Sequence, residues 1–256
     1  MLPDLFHTEA GKGEAVVFIH GFCENLSIWN DFMPDIASKY RFISLDLPGF
    51  GGSPLLDNTS IENVGKAVYE FLKNIGVEEA HLFGHSLGGY VALSIAEQHP
   101  DFILSVGLIH SNAFADGEEK KLNRDKSIEF MQKHGADTFL QTFVPSLFNA
   151  ERRETLQDKI DHLRELTKET KAESMIAYTA AMRDRKDRSF LLKELGCPIL
   201  FIAGAYDGLI NMELSLQHKS LISNGEFHVL QNSGHVGMYE EPEELLNIME
   251  GFLSRN

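Results

Sequence analysis

Cysteine is nearly missing from this chain: Cys23 and Cys197 are the only two in 256 residues. Two thiols so far apart in sequence cannot build the disulfide framework of a small secreted scaffold or a four-cysteine zinc site, so a reducing compartment is the default. Both read as small apolar residues. Basic residues are also scarce, 23 Lys+Arg against 38 Asp+Glu, for a formal net charge of −15. Nucleic-acid affinity comes largely from Lys and Arg neutralising phosphates, so no nucleic-acid partner is expected. No apolar run approaches the ~18–20 residues of a membrane span, and residues 1–7 lack the basic and apolar regions of a leader. The expectation is a cytoplasmic protein without a membrane partner. Repeats and low-complexity tracts are absent too, and with no H-E-x-x-H or C-x-x-C pattern no metal or cofactor is expected.

What is present is a balanced composition, 43% hydrophobic and 24% charged. A chain of this length buries roughly 70–75% of its unfolded surface without a covalent staple. Short β-branched and aromatic runs at residues 15–20, 41–46, 80–84, 104–110, 198–204 and 226–231 are bounded by turn residues and predict buried strands. Residues 27–38, 60–75, 87–99, 212–223 and 243–253 carry apolar residues at three- and four-residue spacing and predict helices, with Ser60 a cap and Pro100 a stop. Alternating strand and helix imply an α/β fold with a mostly parallel central sheet and helices on both faces. From Asn112 to Phe190 the strand signal gives way to charged helical sequence. Because strands resume afterwards, residues 112–190 are expected to be a helical insertion into one domain made of residues 1–111 and 191–256.

Gly84-His85-Ser86-Leu87-Gly88 is G-x-S-x-G between a predicted strand and a predicted helix, the context that motif requires. A strand that turns at once into a helix holds its central residue in strained backbone with the side chain projecting, so Ser86 is the candidate nucleophile. The Leu87 N–H then lies at a helix N-terminus, where an unpaired donor and the helix dipole favour negative charge.

Four separated motifs together resemble the serine hydrolases of the α/β-hydrolase fold over nearly the whole chain. His20-Gly21-Phe22 resembles the family's oxyanion loop, and residues 46–53 its D-x-P-G-x-G-x-S loop; Gly204-Ala205-Tyr206-Asp207 resembles the acid-bearing turn and Gly234-His235 the histidine loop. The resemblance implies a helical cap inserted after the sixth strand, shaping the pocket. Segments 109–116 and 181–188 are similar to those of enol-lactone hydrolases and small carboxylesterases, which makes Arg124, Arg183 and Arg185 candidates to hold a substrate carboxylate, the alternative being solvated arginines on the insertion's surface.

A serine hydroxyl needs a base, and the base a carboxylate to fix its tautomer. Ser86, Asp207 and His235 fall in the order this fold uses, Asp207 and His235 on loops just past predicted strands. Asp46 and Asp116 are alternatives for the acid, the first read as holding its own loop and the second as a solvated residue. Of the 11 histidines, only His235 combines such a loop with the context Gly-His-x-x-x-x-Glu-x-Pro. His20 reads as a support of the oxyanion loop, His85 as the variable position of the elbow, and His81, His110 and His228 as strand residues. His7, His99, His134, His162 and His218 read as surface. The backbone N–H groups of Phe22 and Leu87 are the expected oxyanion donors, with the Phe22 ring a pocket wall or core aromatic. Insertion phenylalanines from Phe114 to Phe148, with Tyr178, Met131, Met175 and Met182, are available to line the pocket, whereas Trp29 reads as core.

The function these residues predict is cleavage of a small carboxylic ester or lactone through an acyl-enzyme, by a monomer or homodimer. The same residues also serve C–C bond hydrolysis, perhydrolysis or cofactor-free lyase chemistry, or survive in a non-catalytic small-molecule receptor.

Overall fold

Consecutive residues of a strand point to opposite faces of its sheet, so a strand buried at every position must be covered on both sides. Ala15–Ile19, Ala80–His85 and Ile199–Gly204 are buried throughout. In the computed structural model, which describes residues 4–256, they lie inside a sheet formed by β1 (His7–Ala10), β2 (Ala15–Ile19), β3 (Arg41–Leu45), β4 (Ala80–His85), β5 (Ile103–Ile109), β6 (Ile199–Gly204) and β7 (Gly225–Leu230). Its order is β1-β3-β2-β4-β5-β6-β7, with β1 antiparallel to β3 and the other pairings among the described residues parallel. Residues 1–3, part of the stretch read as leaderless, lie outside the described residues.

The helices are α1 (Met33–Ile36), α2 (Ile61–Asn74), α3 (Leu87–Gln98), α4 (Glu118–His134), α5 (Ala136–Ser146), α6 (Gln157–Thr167), α7 (Ala172–Asp184), α8 (Leu191–Glu194), α9 (Met212–Leu221), α10 (Gly237–Glu240) and α11 (Pro242–Leu253). Helix α2 starts as the sequence indicates, the Ser60 hydroxyl accepting from the Asn63 N–H at 3.1 Å. It buries Ile61, Val64, Val68, Phe71 and Leu72, one face of a helix. Helix α3 is buried from Leu87 to Ala96. No helix among the described residues is long and apolar enough to cross a membrane.

Parallel register brings the strand ends to one edge. Ile19 pairs with Gly84, His85 with Ile109, Ile109 with Ile202 and Gly204 with Leu230. The loops after β2, β4, β6 and β7 therefore emerge side by side at the carboxyl edge, where open α/β sheets build their sites.

Two expectations change. The helical insertion leaves the sheet after its fifth strand in chain order, not its sixth, and residues 27–38 form a 3-10 segment, Leu26–Phe32, followed by the short α1. Trp29 at its centre is core, packed on Phe18 and Phe32. Helices α4 to α7 fill the insertion, α4 packing on α7 and α5 on both α4 and α6. At its ends the Arg188 N–H donates to the Ala113 carbonyl at 2.8 Å. The buried Arg188 guanidinium bridges Glu62 of α2 and Glu97 of α3 at 2.8 and 2.9 Å. The Tyr178 hydroxyl of α7 donates to the Pro48 carbonyl at 2.7 Å.

Candidate active site

Between β4 and α3 the chain reverses within a single residue. Ser86 has φ 48° and ψ −109°, a region costly for any residue with a Cβ. Its surroundings hold it there: its N–H donates to Ile109 O at 2.9 Å, and its carbonyl accepts from Ser111 Oγ at 2.7 Å and Gly89 N at 3.0 Å. The flanking glycines are required by close approach. A Cβ on Gly84 would lie 2.3 Å from the Gly88 carbonyl carbon, and one on Gly88 2.3 Å from Ile19 O.

The three sequence-identified side chains meet. Ser86 Oγ–H points to His235 Nε2 at 2.9 Å, and His235 Nδ1–H to Asp207 Oδ2 at 2.7 Å. The other carboxylate oxygen, Asp207 Oδ1, accepts from the N–H groups of Leu209 at 2.8 Å and Ile210 at 2.9 Å. Burial pushes the Asp207 carboxyl up, but the charge and hydrogen bond of His235 outweigh it and hold it below the usual carboxylate range.

The glutamate of the histidine-loop pattern has a visible task. Glu240 accepts from Gly234 N at 2.7 Å with one oxygen and from Asn149 N at 2.8 Å with the other. It clamps the histidine loop to the insertion, and the His235 N–H adds a bond to Leu147 O at 2.7 Å. His110 lies behind Asp207, its Nδ1 3.8 Å from Oδ2, while its Nε2 accepts from Gly237 N at 3.1 Å.

On the opposite side His20 does what its position suggests. Its Nδ1–H donates to Gly21 O at 2.7 Å, and its Nε2 accepts from Leu47 N at 2.9 Å. In a trans peptide the N–H points away from the C=O, so fixing the Gly21 carbonyl also aims the Phe22 N–H. Leu87 opens α3, so its N–H has no partner within the helix. The Phe22 ring contacts Phe50 and Phe143 edge-on and lines the cavity, which has a volume of about 730 Å³. Ser86 and His235 open into that cavity beside Phe139, Phe143 and Met182 of the insertion. Tyr178, Met175, Met131 and Phe148 are buried within the fold, and Phe130 is exposed.

The alternative acids are engaged elsewhere. Asp46 holds its own loop, accepting from Leu26 N and Gly52 N at 2.8 Å each. Asp116 is a correction, because it is not solvated. It is buried and ringed by Arg185 at 2.8 Å, Arg124 at 3.1 Å and Lys120 at 3.9 Å. Among the candidate arginines, Arg183 pairs with Asp125 and Asp184 and Arg185 lies over the Tyr90 ring, whereas Arg124 borders the cavity. Among the described residues no His, Cys, Asp and Glu gather in a group able to hold a metal ion.

His218 is likewise a correction, buried rather than on the surface, with Nδ1–H donating to Leu214 O at 2.7 Å and Nε2 accepting from Ala113 N at 3.0 Å. Burial lowers the pKa of His218 to about 4 and that of His110 to about 3. A histidine whose folded pKa is depressed stays neutral in the native state while the unfolded chain takes up a proton near pH 6.5. The contribution of these two histidines to stability is therefore expected to be complete above that pH and to fall as the pH drops toward 4, by roughly 1 kcal/mol per histidine per pH unit. Urea midpoints measured from pH 7 to 5 check this, and a flat profile would contradict it.

The comparisons agree with this architecture. A family model for the alpha/beta hydrolase fold matches residues 14–242. The pimeloyl-[acyl-carrier protein] methyl ester esterase of Aeromonas hydrophila is 30% identical over 251 residues, 95% of this chain and 96% of that protein. The 3-oxoadipate enol-lactonase 1 of Acinetobacter baylyi is 27% identical over 93% of this chain and 88% of its own. A thermophilic esterase from Thermogutta terrifontis, solved with malate bound, superposes with a TM-score of 0.93 at 25% identity, covering 99% of this chain and 94% of that one. With a family match over most of its length and hydrolases as its relatives, the chain belongs to the α/β-hydrolase fold family and is an enzyme of that family.

Proposed function

We propose that this enzyme hydrolyses a small carboxylic ester or lactone through an acyl-enzyme on Ser86. The observation that carries this reading is the chain of two hydrogen bonds, Ser86 to His235 at 2.9 Å and His235 to Asp207 at 2.7 Å, opening into one cavity. His235 takes the Ser86 proton as Oγ attacks the carbonyl carbon, passes it to the departing alkoxide, and then deprotonates the water that releases the acid. Asp207 keeps the Nδ1 proton in place and stabilises the imidazolium. The Phe22 and Leu87 N–H groups receive the oxyanion, a role in which one donor contributes about 2.7–4 kcal/mol in enzymes where a side chain supplies it. Residues 112–190 act as the cap of a core made of residues 1–111 and 191–256. Their Phe139, Phe143 and Met182 make an apolar wall suited to an acyl chain. In a lactone the leaving alkoxide stays tethered to the acyl group, so the same steps open the ring.

Fluorophosphonate treatment followed by peptide mass mapping tests the reading, alongside turnover of p-nitrophenyl acetate and butyrate and a panel of lactones. The expected result is one adduct, on Ser86, and hydrolysis of at least one ester or lactone. A folded protein that forms no Ser86 adduct and turns over none of them would overturn it.

A further inference from the structure

Beside Ser86, at the wall of the same cavity, lie two buried ionisable groups that the mechanism above does not use. His85, the variable residue of the elbow, and Glu24, three residues past Gly21, are 1% and 2% exposed. Glu24 Oε2 accepts from the Gly21 N–H at 2.7 Å and from His85 Nδ1–H at 2.8 Å, and His85 Nε2–H donates to the main-chain carbonyl of His235 at 2.8 Å. Both ring nitrogens face acceptors, a carboxylate and a carbonyl, and only an imidazolium has a proton for each. Burial works against that charge, yet Glu24 and the His235 carbonyl outweigh it and raise the His85 pKa, while His85 holds Glu24 below its usual value against the same burial.

Contacts of this kind join three separate loops. Glu24 pins the peptide before Gly21 and His20 the peptide after it, so both planes that set the direction of the Phe22 N–H are held. The far end of the chain of bonds fixes the backbone of His235, whose ring centroid is 5.2 Å from that of His85. Gly21 leaves just enough room, since a Cβ there would meet His85 Nδ1 at 2.6 Å and Glu24 Oε2 at 2.7 Å.

We propose that Glu24 and His85 form a buried, charged pair of positioning residues that holds the oxyanion loop and the His235 loop in register with Ser86. The proposal rests on the hydrolase reading above. It gives the elbow's variable position a role in aligning the transition state through the backbone it holds. An ångström of misplacement costs on the order of 100-fold in rate, so the effect belongs in kcat more than in KM.

The test compares wild type, Glu24→Gln, His85→Gln and the double variant on p-nitrophenyl butyrate, with thermal melts for each. Glu24→Gln keeps the shape of the side chain but not its charge. With its oxygen toward Gly21 N and His85 Nδ1, the neutral ring has no proton for the His235 carbonyl, and with its NH₂ there the Gly21 N–H loses its acceptor. Glu24→Gln is expected to melt cooperatively and to lose about 100-fold in kcat with KM within about three-fold. Because the two residues act as one unit, the double variant should lose no more than the worse single variant. In wild type, 15N NMR of the histidine rings at pH 7 should reveal a buried ring protonated at both nitrogens, absent from Glu24→Gln. A Glu24→Gln enzyme within three-fold of wild-type kcat, losses that multiply in the double variant, or no doubly protonated ring in wild type would each overturn the pair. Should the variants not fold, the wild-type spectrum alone decides. A wild type that gives no Ser86 adduct rejects the hydrolase reading instead, and the spectrum still reports on the pair.

Discussion

Replacing Ser86 with alanine is expected to lower kcat on a short p-nitrophenyl ester by about 10⁶-fold, the loss seen when the nucleophile of a serine triad is removed. The fold should survive, because the bonds that hold the elbow run through the Ser86 main chain to Ile109, Ser111 and Gly89 and not through its hydroxyl. Alanine keeps its Cβ at φ 48°, so the backbone strain remains. Ser86→Gly gives up the same hydroxyl but is at ease at that φ. It should be equally inactive and more stable than Ser86→Ala by about 1 kcal/mol or more. Steady-state rates and urea unfolding of the two variants read both effects. Turnover by Ser86→Ala within ten-fold of wild type would remove Ser86 from the chemistry.

Asp207→Asn is expected to lower kcat by about 10⁴-fold with little change in fold. The reason lies in which atoms the carboxylate faces. Oδ1 accepts from two backbone N–H groups, of Leu209 and Ile210, so the asparagine carbonyl oxygen takes that side. Its NH₂ is then turned toward His235 Nδ1, which must accept, and the ring proton moves to Nε2. A ring protonated at Nε2 cannot take the proton of Ser86. The rotamer that rescues His235 instead sets the NH₂ against two N–H donors and leaves them unpaired, which costs about 1–3 kcal/mol for each buried group. The measurement is kcat and KM on the same ester together with the fluorophosphonate labelling rate. Loss in both rates with an unchanged melting profile is the expected pattern, and labelling at the wild-type rate would exclude Asp207 as the partner of His235.

Much of this arrangement is legible in the amino-acid sequence because the signals are local. The inner strands are largely apolar and buried, the elbow and the acid turn each directly follow one of them, and the histidine loop follows the edge strand β7. Strand β1 escapes because its four residues, His7–Ala10, carry no apolar run. Edge strands need only one buried face, and pairing with β3 is what makes this one a strand. Even with β1 counted, the strand before the insertion is the fifth, where the family resemblance implies a sixth. Asp116 and His218 are misread for a different reason: a polar residue is buried when distant partners satisfy it, and Arg185 and the Ala113 N–H lie 69 and 105 residues away in sequence. Glu24 and His85, 61 residues apart, meet in the same way. No periodicity announces such a pairing.

The meeting of Ala113 and Arg188 at the two ends of the helical insertion has a consequence for how such an enzyme changes its diet. A segment that leaves and rejoins the sheet at one point behaves as an interchangeable part. Lengthening it adds only a slowly growing closure entropy, and no strand has to shift to accommodate it. Arg188 anchors the return to α2 and to the end of α3 remote from Ser86, whereas Leu147 and Asn149 of the insertion are bonded to the histidine loop, so an exchanged segment leaves the sheet in place but has to restore those two bonds. If the segment is the cap proposed above, its four helices can be redrawn without moving a strand, provided the bonds from Leu147 and Asn149 to the histidine loop are kept.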